Sequence, residues 1–262
     1  MAPLHSRPLL AVDIGNTRIK LGLFDQPLGP AAVPLPTRWL GLDTDEWDPV
    51  EIAVWLAPHG PADVDWRIAS VHRPAASRLT QWLDREGAVR AVLSHHDLPL
   101  TIDLPAPEKV GIDRLLGAVS ANALRGEKQG AVVVDVGSAI TVDLVSNVGT
   151  FCGGAILPGL GMSARALHDY TDQLPEIKMA SLVEPPPVLG TSTEEAITSG
   201  LFWGAVGAMR TLIEGLESEL EGETIVLLTG GAGEQIARLL PGEVRHVPHL
   251  VLSGIALAAA GE

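Results

Sequence analysis

The chain has 262 residues, of which 46% are hydrophobic and 19% charged, and its formal net charge is −14. This length and composition suffice for one or two packed domains, and the acidic balance argues against nucleic acid or an anionic membrane surface as the main partner. The single cysteine, Cys152, excludes an intramolecular disulfide framework and a cysteine-rich zinc site.

The N-terminal half is predicted to begin with a β-hairpin. Residues 8–14 have the pattern of a buried strand, a turn follows at 15–17, and residues 18–24 alternate as a second strand. Residues 25–47 are rich in Gly and Pro and predict a loop with at most one strand. Further on we predict helices at 48–56, 74–86 and 111–124, strands at 66–71 and 88–93, and an extended segment at 99–107.

The second half opens after a polar break at 126–130. Three strands are predicted at 131–136, 140–146 and 150–156, followed by a helix at 158–170 and an extended proline-rich loop at 180–190. A long helix at 192–220 precedes strands at 224–228 and 243–247 and helices at 233–240 and 249–260. These limits predict two domains, 1–125 and 126–262. No run of 18 apolar residues and no signal-peptide pattern is present, so we expect a cytoplasmic protein without a membrane span.

A short internal repeat links the two halves. The sequence AVDIGNT at 11–17 aligns with VVDVGSA at 133–139, so that Asp13 matches Asp135 at an offset of 122 residues. In each copy an Asp ends a strand, a Gly turn follows, and a second strand begins. The repeat predicts a duplicated α/β domain with a cleft between the halves; the alternative is a chance recurrence of a short apolar string.

The first hairpin has the residues of an anion site. A Gly turn lets backbone N–H groups approach an anion closely, Asn16 and Thr17 add donors, and Lys20 adds a positive charge. Asp13 is suited to hold a magnesium ion through water. The alternative is an ordinary hairpin with an Asn-containing turn.

Two other turns offer similar chemistry. Asp135, Gly137 and Ser138 repeat the Asp-Gly hairpin, and the turn after Thr229, which contains Gly230 and Gly231, is of the glycine-rich strand-to-helix type that can seat a nucleotide. Glycine-rich turns are common before helices, so the turn after Thr229 is by itself weak evidence for a nucleotide site.

An acidic and a basic residue follow a glycine at the start of the helix at 111–124. Asp113 is suited to draw a proton from an alcohol that attacks a phosphoryl group, and Arg114 to hold a carboxylate in bidentate geometry. The alternative is a helix-capping Asp beside a solvated Arg.

Several segments, in this order and spacing, resemble the type III pantothenate kinases over nearly the whole chain. They are DIGNTRIK at 13–20, PEKVGIDR at 107–114, VDVGSAITVD at 134–143, GGAILPG at 153–159, and Thr193 with Gly200. The resemblance implies the actin-like, sugar-kinase and Hsp70-type fold, in which two ribonuclease-H-like domains with mixed sheets flank a nucleotide cleft.

The resemblance also implies a set of site residues. ATP with Mg²⁺ would bind the first hairpin, formed by Asp13, Ile14, Gly15, Asn16, Thr17, Arg18, Ile19 and Lys20, together with Ser138. Asp113 would accept the proton of the pantothenate hydroxyl, and Gly111, Ile112, Arg114 and Thr193 would contact pantothenate. Asp135 would hold a monovalent cation, K⁺ or NH₄⁺. Thr193 resembles a contact made across a dimer interface, which implies a homodimer.

The chain departs from the family pattern at two positions. Leu104 stands where the family often has a Tyr that touches pantothenate, and Ser138 replaces a Thr. On the matching segments, the leading hypothesis is an ATP-dependent kinase that forms 4'-phosphopantothenate, the first step of coenzyme A biosynthesis. The alternative is a nucleotide-binding regulatory protein, similar to transcription activators, that does not turn over pantothenate.

Overall fold

The protein is represented by a computed structural model that describes residues 7–25, 33–179, 182, 184–231 and 233–260. The chain folds into two compact units. The first extends to Leu124 and resumes at His249, and the second comprises Arg125–Pro248.

Nine helices and strands lie in the described part of the chain up to Leu124. They are β1 (Leu9–Ile14), β2 (Arg18–Phe24), β3 (Arg38–Asp43), α1 (Pro49–Leu56), β4 (Asp65–Ser70), α2 (Arg73–Arg85), β5 (Arg90–Val92), β6 (Thr101–Ile102) and α3 (Ile112–Leu124). Short 3₁₀ turns occur at Pro61–Asp63, His95–Asp97 and Pro107–Lys109. The one strand allowed for in residues 25–47 is β3, while residues 26–32 of that predicted loop lie outside the described residues.

The remaining elements follow the predicted order. They are β7 (Gly130–Val136), β8 (Ala139–Val145), β9 (Thr150–Pro158), α4 (Leu160–Asp169), α5 (Thr193–Glu217), β10 (Thr224–Gly230), α6 (Gly233–Ala237), β11 (Val244–His246) and α7 (Leu250–Ala260). In the proline-rich loop predicted at 180–190, residues 180, 181 and 183 are not among those described.

The two units share an arrangement of five strands. In the first, the order is β3-β2-β1-β4-β5, with β1 antiparallel to β2 and parallel to β4. In the second, β9-β8-β7-β10-β11 repeats that order, with β7 antiparallel to β8 and parallel to β10. The first strand of each unit carries one copy of the repeat, Asp13 in β1 and Asp135 in β7. This equivalence confirms the predicted mixed α/β fold class and its duplication.

Alternation along β1 separates core residues from site residues in the first unit. Leu10, Val12 and Ile14 join Ile52 of α1 and Leu79 of α2 in one hydrophobic cluster. Successive residues of a strand point to opposite faces, so Asp13 lies on the other face. Lys20 of β2 is its cross-strand neighbour.

The last helix, α7, belongs to the first unit, which differs from the predicted domain limits 1–125 and 126–262. A Cβ atom added at Gly254 would lie 2.1 Å from the carbonyl oxygen of Leu116 in α3, and one at Gly22 of β2 would lie 3.0 Å from Leu252. The backbones of α7 and α3 therefore pack closely, against the Asp13 face of the sheet. Nine of the helix's eleven residues are buried, which requires partners that its periodicity alone does not identify.

The second unit has its own core. Val134 of β7, Val142 of β8 and Phe202 of α5 belong to a second hydrophobic cluster. Helix α5 is the one described helix that is long and apolar enough to cross a membrane by length and composition. Four of its large apolar residues lie in this core (Phe202, Val206, Met209 and Ile213). Its length and composition are therefore weak evidence for a membrane span.

Candidate active site

In the first Asp-Gly hairpin, the residues predicted to bind the nucleotide differ in how deeply their side chains are buried. Asp13 is 8% exposed and Lys20 is partly buried, and these two residues are paired across the strands. Ile14 and Ile19 are completely buried in the core. Of the eight residues predicted to bind the nucleotide here, Ile14 and Ile19 therefore offer only backbone groups.

The turn of this hairpin is fixed by a residue that the sequence did not single out. The N–H of Gly15 donates to the carbonyl of Arg18 at 3.0 Å. Thr44 then holds both sides of the turn: its hydroxyl donates to the carbonyl of Gly15 at 3.0 Å and its N–H to that of Thr17 at 3.1 Å. Asn16 and Thr17 remain exposed. No signal marks Thr44 in the sequence, because it lies in a Gly- and Pro-rich stretch.

Asp113 lies at the same edge of the first sheet as this hairpin. The N–H of Val71, directly after β4, donates to the carbonyl of Ile14 at 3.0 Å. A Cβ atom added at Gly111 would lie 3.7 Å from Cγ1 of Val71 and 2.5 Å from Oδ1 of Asp113. The first turn of α3 therefore sits beside the carboxyl ends of β1 and β4, the edge where ligands bind in open α/β sheets.

The Asp113 carboxylate is held by the start of its own helix. Its Oδ1 atom accepts the N–H of Arg114 at 2.9 Å, and the unpaired N–H groups of a first helical turn favour a negative charge. Both Asp113 and Arg114 are partly buried, while Ile112 is 9% exposed. Gly111 and Asp113 are thus in close contact, and Ile112 and Arg114 flank Asp113 in the first turn of α3.

The second hairpin is supported by a glycine from the start of α4. The N–H of Gly137 donates to the carbonyl of Ala139, and that of Gly159 to the carbonyl of Ser138, both at 3.0 Å. A Cβ atom at Gly159 would lie 2.3 Å from the oxygen of Gly137 and 2.5 Å from that of Ser138. Only glycine fits against this turn without displacing it.

The glycine-rich turn after β10 lies next to this second hairpin. Thr229 and Gly230 are the register partners of Asp135 and Val136. Gly230 has φ +102°, in the left-handed region, and a Cβ atom there would lie 2.3 Å from the oxygen of Val136. The second unit thus places Asp135, the Ser138 turn and the Thr229 turn at one edge of its sheet.

Thr193 is the predicted site residue with the least support from local contacts. It is exposed and is the first residue of α5, directly after the cap Ser192, whose hydroxyl accepts the N–H of Glu195 at 3.2 Å. The hydrogen bonds found in this turn join Thr191, Ser192 and Glu195. Leu104, one of the two departures from the family pattern, is partly buried.

The chemistry of Asp13 and Asp135 fits hard cations. Both carboxylates lie at strand ends beside glycine turns, and the Oδ1 atom of Asp135 is buried. Magnesium is often held by one or two carboxylates plus substrate phosphates rather than by a cage of protein ligands. In the part of the chain that is described, no group of three or more His, Cys, Asp or Glu residues is placed to hold a metal ion.

Comparison with known sequences points to one family. The family model described as type III pantothenate kinase matches residues 9–215. A type III pantothenate kinase of Rhodopirellula baltica is 35% identical over an alignment of 270 positions that covers 94% of this chain and 96% of the relative. One from Paramagnetospirillum magneticum is 34% identical over 233 residues, covering 85% of each.

Solved structures show the same fold at much lower identity. A Campylobacter jejuni protein assigned to the Baf family of transcriptional activators superposes with a TM-score of 0.61 at 19% identity, covering 97% of this chain and 98% of that one. The ethanolamine utilization protein EutJ of Carboxydothermus hydrogenoformans gives 0.54 at 15% identity, covering 98% and 91%. At these identities the likeness concerns the fold alone.

Proposed function

The chain belongs to the type III pantothenate kinase family and phosphorylates pantothenate with ATP in coenzyme A biosynthesis, and we propose that Asp113 is the general base of this transfer. The observation that supports this role is the position of Asp113 beside the carboxyl ends of β1 and β4, next to the Asp13 hairpin of the same unit. A base within reach of the reacting hydroxyl is the first requirement of such catalysis.

In the proposed step, the hydroxyl oxygen of pantothenate attacks the γ-phosphorus of ATP. A new O–P bond forms, the bond between that phosphorus and the leaving oxygen of ADP breaks, and the hydroxyl proton passes to the carboxylate of Asp113. No covalent enzyme intermediate is needed. The products are 4'-phosphopantothenate and ADP.

We assign nucleotide binding to the two hairpins, each by its own residues. In the first, Asn16, Thr17, Arg18 and Lys20 offer side chains, and Ile14, Gly15 and Ile19 offer backbone groups. In the second, Ser138 offers its hydroxyl. Asp13 would hold Mg²⁺, which when bound neutralises phosphate charge. Thr44 fixes the Gly15 turn, so the exposed side chains of Asn16 and Thr17 would be placed before the nucleotide binds.

For pantothenate, we assign Arg114 to the carboxylate of the substrate, because its planar guanidinium matches a carboxylate bidentately. Gly111 and Ile112 would line the same surface. Thr193 would be a further contact, supported only by the family pattern.

A monovalent cation, K⁺ or NH₄⁺, would be held by Asp135. Its carboxylate is placed beside the Gly137–Ser138 turn, and carboxylate oxygen suits a hard cation. We further propose a homodimer, as the resemblance to the family implies. The second unit exposes five large apolar side chains that an interface could cover: Ile156, Met162, Tyr170, Val188 and Leu189. We expect the protein to act in the cytoplasm.

The regulatory alternative is not favoured. The curated relatives that match most of the chain are named as kinases, whereas the likeness to the Baf family protein rests on fold. The acidic charge of −14 also opposes direct contact with DNA.

The test is ADP release by the purified protein with ATP, Mg²⁺ and pantothenate, with and without K⁺ or NH₄⁺. We expect turnover that requires pantothenate and rises with the monovalent cation. Folded protein that binds ATP but releases no pantothenate-dependent ADP under any of these conditions would contradict the proposal and favour the regulatory alternative.

A further inference from the structure

A strained residue lies close to the first nucleotide hairpin. Among the described residues other than glycine, only Lys128 (φ +63°) and His249 (φ +59°) have a left-handed backbone. Lys128 is in an exposed turn, where such conformations are ordinary. His249 is partly buried, directly before α7. A left-handed histidine persists only where its surroundings hold it, and such residues concentrate at functional sites.

The side chain of His249 contacts the outer strand of the first sheet. Its ring centroid lies 5.0 Å from that of Trp39 in β3, with the planes inclined by 46°. Trp39 nevertheless remains 56% exposed. Burial, followed by the nearby charge of Lys20, holds the pKa of His249 below its ordinary value of 6.5. The imidazole is therefore a neutral neighbour of the Lys20 ammonium at pH 7.

A glycine allows these groups to converge. Gly41 of β3 is the register partner of Lys20. A Cβ atom added at Gly41 would lie 3.1 Å from Nη2 of Arg18 and 3.4 Å from Cζ3 of Trp39. Arg18, Lys20, Trp39 and His249, which we term the Gly41 cluster, therefore share one face of the sheet in the first unit.

Two carboxylates lie opposite the cations of this cluster in the register of the sheet. Asp13 of β1 is the register partner of Lys20, and Asp43 of β3 is that of Arg18. The Asp43 Oδ1 atom accepts the N–H of Asp45 at 2.9 Å, while the guanidinium of Arg18 reaches over Gly41 instead. Trp39 and His249, which also lie on this face, are uncharged at pH 7 and add no competing negative charge beside Arg18 and Lys20.

We propose that Trp39 and His249 are positioning residues of the nucleotide site, which hold the side chains of Arg18 and Lys20 in place for the phosphate groups of ATP. This inference rests on the proposed binding of ATP by the first hairpin. It adds two residues that lie 210 positions apart in the sequence and outside every motif of the hairpin.

The left-handed backbone supplies a sharp test. In His249→Gly the imidazole is lost while the backbone strain is relieved, because glycine adopts this conformation freely. We expect the KM for ATP to rise about tenfold and kcat at saturating ATP to stay within about twofold of wild type. The thermal midpoint should stay the same or rise. Inhibition by inorganic tripolyphosphate should weaken by a similar factor, since phosphate contacts are affected.

Lys128→Gly is the matched control, because it relieves the same strain far from the cluster in sequence. Its thermal midpoint should also be unchanged or higher, with the wild-type KM. Trp39→Ala should raise the KM for ATP like His249→Gly, and Trp39→Phe, which keeps an aromatic face, should fall between Trp39→Ala and wild type.

Two results would overturn the proposal. One is a KM for ATP and a tripolyphosphate inhibition within about twofold of wild type in both His249→Gly and Trp39→Ala. The other is a lower thermal midpoint and lower kcat with an unchanged KM, which indicates packing only. Lys20→Ala separates this inference from its premise: if that variant also binds ATP and tripolyphosphate normally, the hairpin assignment itself fails.

Discussion

The N–H of Val71 donates a hydrogen bond of 3.0 Å to the carbonyl oxygen of Ile14, where β4 and β1 end side by side. The Cγ1 atom of Val71 lies 3.7 Å from the position that a Cβ atom would take at Gly111. One residue thereby connects the nucleotide hairpin, which begins after Ile14, with the turn that carries Asp113. The proposed phosphate donor site and the proposed base are thus adjacent features of one sheet edge.

Gly111→Ala should impair catalysis more than stability. The new Cβ would lie 2.5 Å from Oδ1 of Asp113, so the carboxylate must swing away. Gly111 does not have a left-handed backbone, so the substitution adds no backbone strain of that kind. We expect kcat to fall at least about tenfold, with the free energy of unfolding changed by less than about 1 kcal/mol. Steady-state kinetics and urea unfolding measure the two quantities.

Gly161→Ala in α4 is the control, since no neighbouring heavy atom lies within 4 Å of its added Cβ. It should leave kcat unchanged and gain about 0.5–1 kcal/mol, as alanine does in a helix. Equal kcat values for Gly111→Ala and wild type would contradict the proposed role of the Asp113 position.

Gly159→Ala should weaken nucleotide binding through the second hairpin. Its Cβ would lie 2.3 Å and 2.5 Å from two carbonyl oxygens of the Gly137–Ser138 turn. Because these are backbone atoms, the whole turn must move. We expect a loss of about 1–3 kcal/mol in stability, typical of overpacking, together with a higher KM for ATP. A destabilised variant with an unchanged KM would argue against the hairpin as a nucleotide contact.

Asp135→Asn should abolish the response to monovalent cations. The amide keeps the shape of the side chain and removes the negative charge that would attract K⁺ or NH₄⁺. The rate of pantothenate-dependent ADP release, measured against KCl concentration, should rise for wild type and stay low and flat for the variant. Asp169→Asn, at the end of α4 in the same unit, should respond like wild type. A variant that is stimulated as strongly as wild type would refute the assignment of Asp135.

The stability of the protein should depend on His249 below pH 6.5. Burial, and then the charge of Lys20, lowers the pKa of this side chain in the folded state. Folding thus favours the neutral imidazole. The contribution of His249 to the free energy of unfolding is complete above its ordinary pKa of 6.5, and it is lost as the pH falls through the lower folded pKa. Urea unfolding at about pH 7.5 and about pH 5.5 should show a larger loss for wild type than for His249→Asn.

Asn tolerates the left-handed backbone, so this variant isolates the titration. Asp97 and Glu195 also have lowered pKa values, caused mainly by hydrogen bonds from Ser94 and Thr191. Their contributions are lost only below their ordinary values of 3.8 and 4.5, outside this window. Identical losses in wild type and His249→Asn would contradict the assigned direction.

Local patterns were sufficient to predict the strands, helices and hairpins. The Asp13 and Asp135 segments lie at equivalent places in a five-strand order that the two sheets share, because a strand and its tight turn are fixed by near neighbours. The same alternation explains why Ile14 and Ile19 have buried side chains: they point away from the face of Asp13 and Lys20. Strand period alone would have assigned these two isoleucines to the core.

Contacts between distant segments could not be predicted in this way. Helix α7 is apolar on nearly all sides, so its pattern predicts burial without naming a partner. Gly254 was the available signal, because a glycine within a helix often permits close approach of another backbone. Thr44 and the contact of Trp39 with His249 have no sequence signal, since tertiary packing alone brings these residues to the hairpin.

The most direct test of the central claim is the rate at which Asp113→Asn forms phosphopantothenate from ATP and pantothenate. Glu51→Gln, an acidic residue in the first turn of α1, serves as the matched control. We predict that Asp113→Asn keeps its fold and its KM for pantothenate while kcat falls at least about a hundredfold, as expected when a general base is lost. A kcat for Asp113→Asn within about threefold of wild type would contradict the account.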